Sequence, residues 1–317
     1  MGEPLILDAD QTAAKLPFLR LVATLQREFA TGCQTPARHH HTVATKGEPD
    51  GTLLLMPAWS NADDDEHFLG VKLVTIMPGN MRRMMPAVVS SYMLYSAITG
   101  EQLAIMDGNT LTSRRTVATS ALAAKYLSRE DASELVIAGA GRVGSLIAEA
   151  HSSVRAIRRI KVWDINPDHA SRLAASLCDR GFSAESTVDL RTAVESADIV
   201  SAATLATAPI IRGAWLRPGT HVDLIGAFTP EMREADDDVM RQASIYIDTP
   251  VALEEAGELI TPMINGVITR ESILGDLSEL SRRNQFARKN SDQITCFKSV
   301  GSGLADLAAA KLVLQST

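Results

Sequence analysis

The sequence predicts an α/β protein with two parts. A doubly wound parallel sheet occupies the middle of the chain, and an α+β part is built from the N-terminal segment together with the C-terminal helix. Three observations carry this expectation. In the middle of the chain, short apolar runs of strand length alternate with helical patterns, as repeated β–α–β units require. In the first third, apolar runs follow one another with only turn residues between them, as antiparallel strands do. Between these regions, a glycine-rich turn separates an apolar run from a helical stretch.

Taken in order, Leu16–Phe29 has a helical pattern, and Thr52–Met56, Leu69–Ile76, Val88–Leu94 and Gln102–Asp107 are strand-like. The turn signals Pro49-Asp50-Gly51, Pro78-Gly79-Asn80 and Thr99-Gly100-Glu101 separate them. Arg115–Leu127 reads as one long helix that leads into the glycine turn. Five strands are expected beyond it, at Leu135–Ala138, Ile160–Trp163, Ile199–Ala203, His221–Ile225 and Ile245–Asp248. Asp168–Arg180 and Asp189–Ser196 are helices between them. Gly303–Leu314 is a helical pattern expected to pack back on the first part. The expected domains are residues 1–115 with 295–317, for substrate binding and dimerisation, and residues 116–294 for a dinucleotide.

Composition narrows the class. The 317 residues suffice for two domains, and 45% apolar with 22% charged residues fits a soluble globular chain. A net charge of −7 argues against a general nucleic-acid binder. Cys33, Cys178 and Cys296 are odd in number and scattered, which suits neither a disulfide framework nor a metal knuckle and points to a reducing, cytoplasmic setting. No basic stretch leads into an apolar core at the N-terminus, and no apolar run is long enough for a membrane span. His39-His40-His41 in an extended strand would alternate faces, so no metal is expected there.

The turn itself is Gly139-Ala140-Gly141-Arg142-Val143-Gly144. The first glycine allows the tight bend, the second lets a pyrophosphate approach the backbone, and the third lets the helix pack close to the strand. The helix N-terminus then turns its unpaired N–H groups toward the phosphates. The next apolar run ends in Asp164, about twenty residues further on, where a carboxylate would accept the adenosine ribose hydroxyls. A Rossmann-type dinucleotide domain is therefore expected, with NADH favoured because that carboxylate would repel a 2′-phosphate. Arg142 and Arg158 leave NADPH as a second possible cofactor. Lys72 lies within an apolar strand, where an amine costs desolvation unless a partner or ligand meets it. No Gly-x-Ser-x-Gly pattern or nucleophilic cysteine setting is present.

Five segments together resemble the ornithine cyclodeaminase/μ-crystallin family over essentially the whole chain. They are Leu54–Trp59, Gly70-Val71-Lys72, Leu111–Thr116 with Ser120–Ala124, the glycine turn, and Thr295–Gly301. The resemblance implies a dinucleotide domain inserted into a dimerising substrate domain, and hence a homodimer. It implies Arg38 and Arg115 on a substrate carboxylate, Lys72 as the active-site lysine, and Met56 lining the substrate. Thr204 and Gly226 are placed on the cofactor, and Ser299 beside both cofactor and substrate. Lys72 and Arg115 are the implied catalytic pair.

One departure changes the expected chemistry. Cyclodeaminases and the related alanine dehydrogenases carry a catalytic Asp that aligns with Phe228, and a basic residue that aligns with Met232. The run Gly226–Glu234 is instead similar to the branch that reduces Δ1-pyrroline-2-carboxylate, often with Δ1-piperideine-2-carboxylate. The expected substrate is then a small cyclic imino acid, reduced to L-proline or L-pipecolate. Ornithine, lysine or alanine chemistry, and a non-catalytic NAD(P)H-dependent binding protein, remain the alternatives.

Overall fold

The structure is a computed structural model that describes residues 3–316. The chain forms two compact units, Met1–Arg115 with Ser302–Thr317, and Thr116–Gly301.

The first unit begins with β1 (Leu5–Leu7), α1 (Ala9–Ala14) and α2 (Phe18–Thr31). Asp8 caps α1 by accepting from the Gln11 amide, and Gln11 answers on the Asp8 amide. In α2 the buried Phe18, Leu21, Val22, Leu25 and Phe29 recur at helical spacing, and Gly32, at φ +81°, ends the helix. Then come β2 (His39–Val43), β3 (Gly51–Trp59), β4 (Phe68–Ile76), β5 (Val88–Ser96) and β6 (Gln102–Asp107). They form one sheet in the order β1-β6-β5-β4-β3-β2, antiparallel except for β1 beside β6. His39–His41 sit in β2, an exposed edge strand.

Alternation decides which side chains go inward. Along β4, Gly70, Lys72 and Val74 are buried, while Val71 and Leu73 are half-buried on the other face. The C-terminal helix, Gly303–Gln315, covers the inner face and is buried along most of its length. Ser302 caps it, accepting from the Ala305 amide at 3.3 Å, and Lys311 pairs with Glu28 of α2 at 2.8 Å. A Cβ on Gly303 would lie 3.3 Å from both the Ala58 Cβ and the Pro57 carbonyl oxygen, so the helix starts flush against β3.

The division between units falls inside α3 (Gly108–Leu127). The second unit then runs β7 (Glu134–Ala138), α4 (Gly144–Ser152), β8 (Arg159–Trp163), α5 (Pro167–Asp179), β9 (Ala184–Ser186), α6 (Leu190–Ser196), β10 (Ile199–Ala202) and β11 (His221–Leu224). It closes with α7 (Asp237–Gln242), β12 (Ser244–Ile247), α8 (Ala252–Glu255), α9 (Gly257–Ile264), β13 (Ile273–Asp276), α10 (Leu277–Arg283) and β14 (Thr295–Lys298). All eight strands are parallel, in the order β13-β12-β14-β11-β10-β7-β8-β9. Helices on both faces leave β10, β11 and β14 wholly buried, including their polar residues Ser201, His221, Asp223, Thr295 and Lys298. Val136, Val200, Val222, Ile245 and Cys296 are among the core residues.

Here the expected boundary at residue 295 is corrected to 302. Thr295–Lys298 is a strand inserted between β11 and β12, pairing with both, so the segment up to Gly301 belongs to the dinucleotide unit. A four-residue strand shows no resolvable period, and its parallel partners are far away in sequence.

One buried carboxylate in this sheet has a measurable consequence. Asp223 of β11 is fully buried, accepts from the Ser201 hydroxyl at 2.5 Å, and lies 3.9 Å from the His151 Nε2. Burial pushes its carboxyl up to about 7 and the His151 imidazole down to about 4. The folded chain therefore keeps the Asp223 proton up to about pH 7, whereas the unfolded chain loses it near the usual carboxylate value of about 4. Between those values the folded state binds more protons, so Asp223 costs stability increasingly as pH rises, and fully above about pH 7. Asp223→Asn should stabilise the protein by roughly 1–3 kcal/mol at about pH 8 and by roughly a third of that near pH 5. Thermal melts at the two pH values test this; an equal effect at both would refute it.

Candidate functional site

In the second unit, the chain leaves β7, builds β8 and β9 on one side, and crosses back to β10 on the other. The loops after β7 and β10 diverge at this switch point, where open α/β sheets bind ligands. Gly139 bends at φ +103°, and a Cβ there would come 2.6 Å from the Ala203 carbonyl oxygen. A Cβ on Gly144 would overlap the Gly139 carbonyl, so this glycine lets α4 start against the turn. A Cβ on Gly141 would meet nothing within 4 Å, leaving open space above that backbone. Ala140, Arg142 and Val143 complete the turn, with Arg142 exposed.

Beside the turn lies a cavity of about 390 Å³ lined by Gly139, Gly141, Trp163, Asp164, Ile165, Ala203, Thr204, Leu205, Ala206 and Ile210. Its mostly apolar walls and single carboxylate fit an adenosine. Asp164 has hydrogen-bond partners of its own. Its Oδ2 accepts the Ala140 amide at 2.8 Å and its Oδ1 the Asn166 amide at 2.9 Å, so it also holds the turn.

Buried carboxylates brace the neighbouring loops. Glu234 Oε1 accepts the Thr204 amide at 2.7 Å and the Thr204 hydroxyl at 2.8 Å, while Oε2 accepts the Gly226 amide at 2.7 Å. A Cβ on Gly226 would overlap both the Thr204 carbonyl and Glu234. Glu258 accepts the Glu234 and Ala235 amides at 2.6 and 2.7 Å, and burial pushes its carboxyl up to about 7. Asp248 accepts the Val300 and Gly301 amides at 3.0 and 2.7 Å, which fixes the turn carrying the buried Ser299. Phe228 follows Gly226 in its loop, with 47% of its surface exposed.

The first unit holds a cationic cluster. Lys72 pairs across the sheet with Met56 on β3 and Tyr92 on β5, and Tyr92 with Met106 on β6. His39 registers with Leu55, so Arg38 stands one residue beyond, level with Met56. The row points at the first turn of the C-terminal helix, where Asp306 is fully buried. Lys72 Nζ lies 2.7 Å from Asp306 Oδ2, and Arg115 Nε donates to Asp306 Oδ1 at 2.7 Å. Lys72 and Arg115 are only 3% and 4% exposed. Gly70 makes room for the Tyr92 ring, which a Cβ at that position would overlap. The Tyr92 hydroxyl is buried without a hydrogen-bond partner among the described residues.

Burial pushes the Lys72 amine down to about 8, helped by Arg115 and Arg38 and opposed by Asp306. Burial alone would raise the Asp306 carboxyl, but Arg115 and Lys72 overcome it and hold the group below its ordinary value. Two buried cations share this one carboxylate, and Arg38 acts on Lys72 from nearby, a setting that suits an anionic ligand. A lysine at about 8 is charged at neutral pH yet close to giving up its proton.

Lys72, Arg38, Met56 and Arg115 are thus brought together in one unit, and the glycine turn, Asp164, Thr204, Gly226, Phe228 and Ser299 lie in the other. Sequence reasoning missed Asp306, although it is the one acid within a mostly apolar helix, which is itself a signal of a buried partner. It also missed Glu234, whose neighbours Glu231 and Arg233 make it look like surface.

A doubly wound parallel sheet with a glycine turn at its switch point, in one chain with a sheet domain carrying a cationic cluster, defines a two-domain dinucleotide-type protein. The chain belongs to the ornithine cyclodeaminase/mu-crystallin family, which it matches over residues 7–317. It is 40% identical over 269 residues to the Δ1-pyrroline-2-carboxylate reductase of Paracoccus denitrificans, covering 84% of each chain. It is 32% identical over 322 residues to the ketimine reductase mu-crystallin of Rattus norvegicus, covering 99% of this chain and 97% of the other. The structure of the Thermococcus litoralis Δ1-pyrroline-2-carboxylate reductase in complex with NADH and L-proline superposes with a TM-score of 0.90. That protein is 31% identical, with 98% and 97% of the two chains covered.

Proposed function

We propose that this protein is an NAD(P)H-dependent reductase of a cyclic ketimine carboxylate, Δ1-pyrroline-2-carboxylate or its six-membered homologue, forming L-proline or L-pipecolate. The observation that carries the proposal is the buried pair Lys72 and Arg115 on Asp306, with the half-buried Arg38 close enough to act on Lys72, together with a phenyl ring at position 228. Arg38 and Arg115 grip the substrate carboxylate, for which a planar guanidinium is well shaped. Lys72, charged at neutral pH, adds to that grip or passes a proton to the imine nitrogen. Bound NADH supplies the hydride. Met56, level with Lys72 on the sheet, lines the substrate, and Phe228 is an apolar ring where cyclodeaminases carry a catalytic carboxylate. A preformed cyclic imine needs neither ammonia nor a carboxylate base, so Phe228 costs this reaction nothing. Names and overall similarity of the relatives support the same reading.

The glycine turn, Thr204, Gly226 and Ser299 hold the dinucleotide. Asp164 in the cavity wall favours NADH over NADPH through repulsion of a 2′-phosphate. The protein acts as a homodimer, consistent with the half-buried apolar residues Leu55, Val71, Leu73 and Met93 on the sheet face opposite Lys72. Three free cysteines suit a cytoplasmic setting.

The test follows loss of NADH and NADPH absorbance with each cyclic imino acid, with pyruvate plus ammonia and with ornithine as controls. Oxidation with the cyclic imines is expected. Ammonia release from ornithine, or saturable NADH binding with no oxidation across the imines, would overturn the proposal.

A further inference from the structure

We propose that Asp306 is the positioning residue of the cationic cluster, holding Lys72 in its charged form and aiming Arg115. This rests on the reductase reading for what the cluster binds, but not for how the cluster is held together.

A carboxylate with no exposed surface is costly, and an apolar side chain at the same place would serve stability as well or better. Asp306 instead faces two cations from two different elements at 2.7 Å each, Lys72 from β4 and Arg115 from α3. It meets Arg115 through Nε, which sets the plane of the guanidinium. Its place in the first turn of the C-terminal helix adds the favourable end of the helix dipole to the negative charge.

The same geometry sets the charge of Lys72. Burial, Arg115 and Arg38 all favour the neutral amine, while Asp306 favours the ammonium. Among the groups packed against Asp306, Tyr92 from β5 is a neutral phenol pushed up by burial, by Asp306 and by Cys33. Glu28 and Lys311 neutralise each other at 2.8 Å near Cys33. With the carboxylate removed, nothing described at the cluster keeps a proton on Lys72.

The test is lysine-detected carbon NMR of the full-length protein, with the Lys72 signal assigned by its loss in Lys72→Arg. In the native protein the Lys72 transition is expected near 8. In Asp306→Asn the transition should fall by at least about one pH unit, and kcat/KM for the cyclic imine measured near pH 8 should fall at least about tenfold. A role limited to anchoring the helix would lower the melting temperature and leave the Lys72 titration in place, which would overturn the inference. Should Asp306→Asn not fold, Asp306→Glu decides. It keeps the charge but displaces it, so the Lys72 transition should stay within about half a unit of the native one while KM rises several-fold. An unchanged KM in that variant overturns the inference. No turnover of any cyclic imine by the native protein would sink the reductase reading alone, since the NMR titration needs no substrate.

Discussion

Arg115→Met should lower kcat/KM for the cyclic imine by about 30- to 4,000-fold while leaving NADH affinity within about threefold of native. A buried, hydrogen-bonded charge pair lost from a binding site costs about 2–5 kcal/mol, and each 1.4 kcal/mol is about tenfold in rate. Arg115 is 4% exposed, so the cation that the substrate carboxylate would meet is desolvated. Methionine keeps much of the side-chain volume and removes only the guanidinium. The change also leaves Asp306 with Lys72 as its remaining ion-pair partner, so the melting temperature should fall. Lysine at position 115 retains the charge without the planar fork and should give an intermediate loss. NADH binding, read by fluorescence, is the control, because the glycine turn belongs to the other compact unit. Loss of NADH binding by a folded Arg115→Met protein would remove Arg115 from the substrate role.

Gly144→Ala should abolish measurable NADH binding and also lower stability. The added Cβ would overlap the Gly139 carbonyl, so α4 and the turn have to separate. Overpacking of this kind costs about 1–3 kcal/mol, and the displaced turn can no longer present its amides to a pyrophosphate. Gly141→Ala is the informative partner. Its Cβ enters open space in the protein, so the melting temperature should hold, yet the space it enters is where a pyrophosphate would approach. NADH affinity should therefore fall about tenfold or more without a stability change. Calorimetric titration with NADH beside thermal melts separates the two variants. Equal melting temperatures for both would contradict the packing role of Gly144, and native affinity in Gly141→Ala would contradict the placement of the phosphates.

Much of this was legible along the chain because it depends on local pattern. The parallel sheet announced itself through buried runs alternating with helices, and the antiparallel sheet through turn residues between apolar strands. Lys72 drew notice for a sound reason: an amine in an apolar strand needs a partner. That partner, Asp306, stands in the C-terminal helix, and no local pattern links the two. Glu234 was hidden in the same way, since a carboxylate that accepts three hydrogen bonds from two loops resembles any surface acid in sequence. The edge strand His39–Val43 and the inserted strand Thr295–Lys298 are short and take their identity from pairing.

The sequence by itself determined the α/β class, the glycine turn with Asp164 at the end of the following strand, and the presence of an apolar strand holding a lysine. Period, turn chemistry and glycine spacing are properties of neighbouring residues, so one chain is enough to read them. Only the tertiary structure decided that Asp306 binds both Lys72 and Arg115, that Asp164 also holds the turn, and that residues 295–301 belong to the dinucleotide unit. Each of these is set by burial and by hydrogen bonds between distant segments, and such energies exist only once the chain has packed.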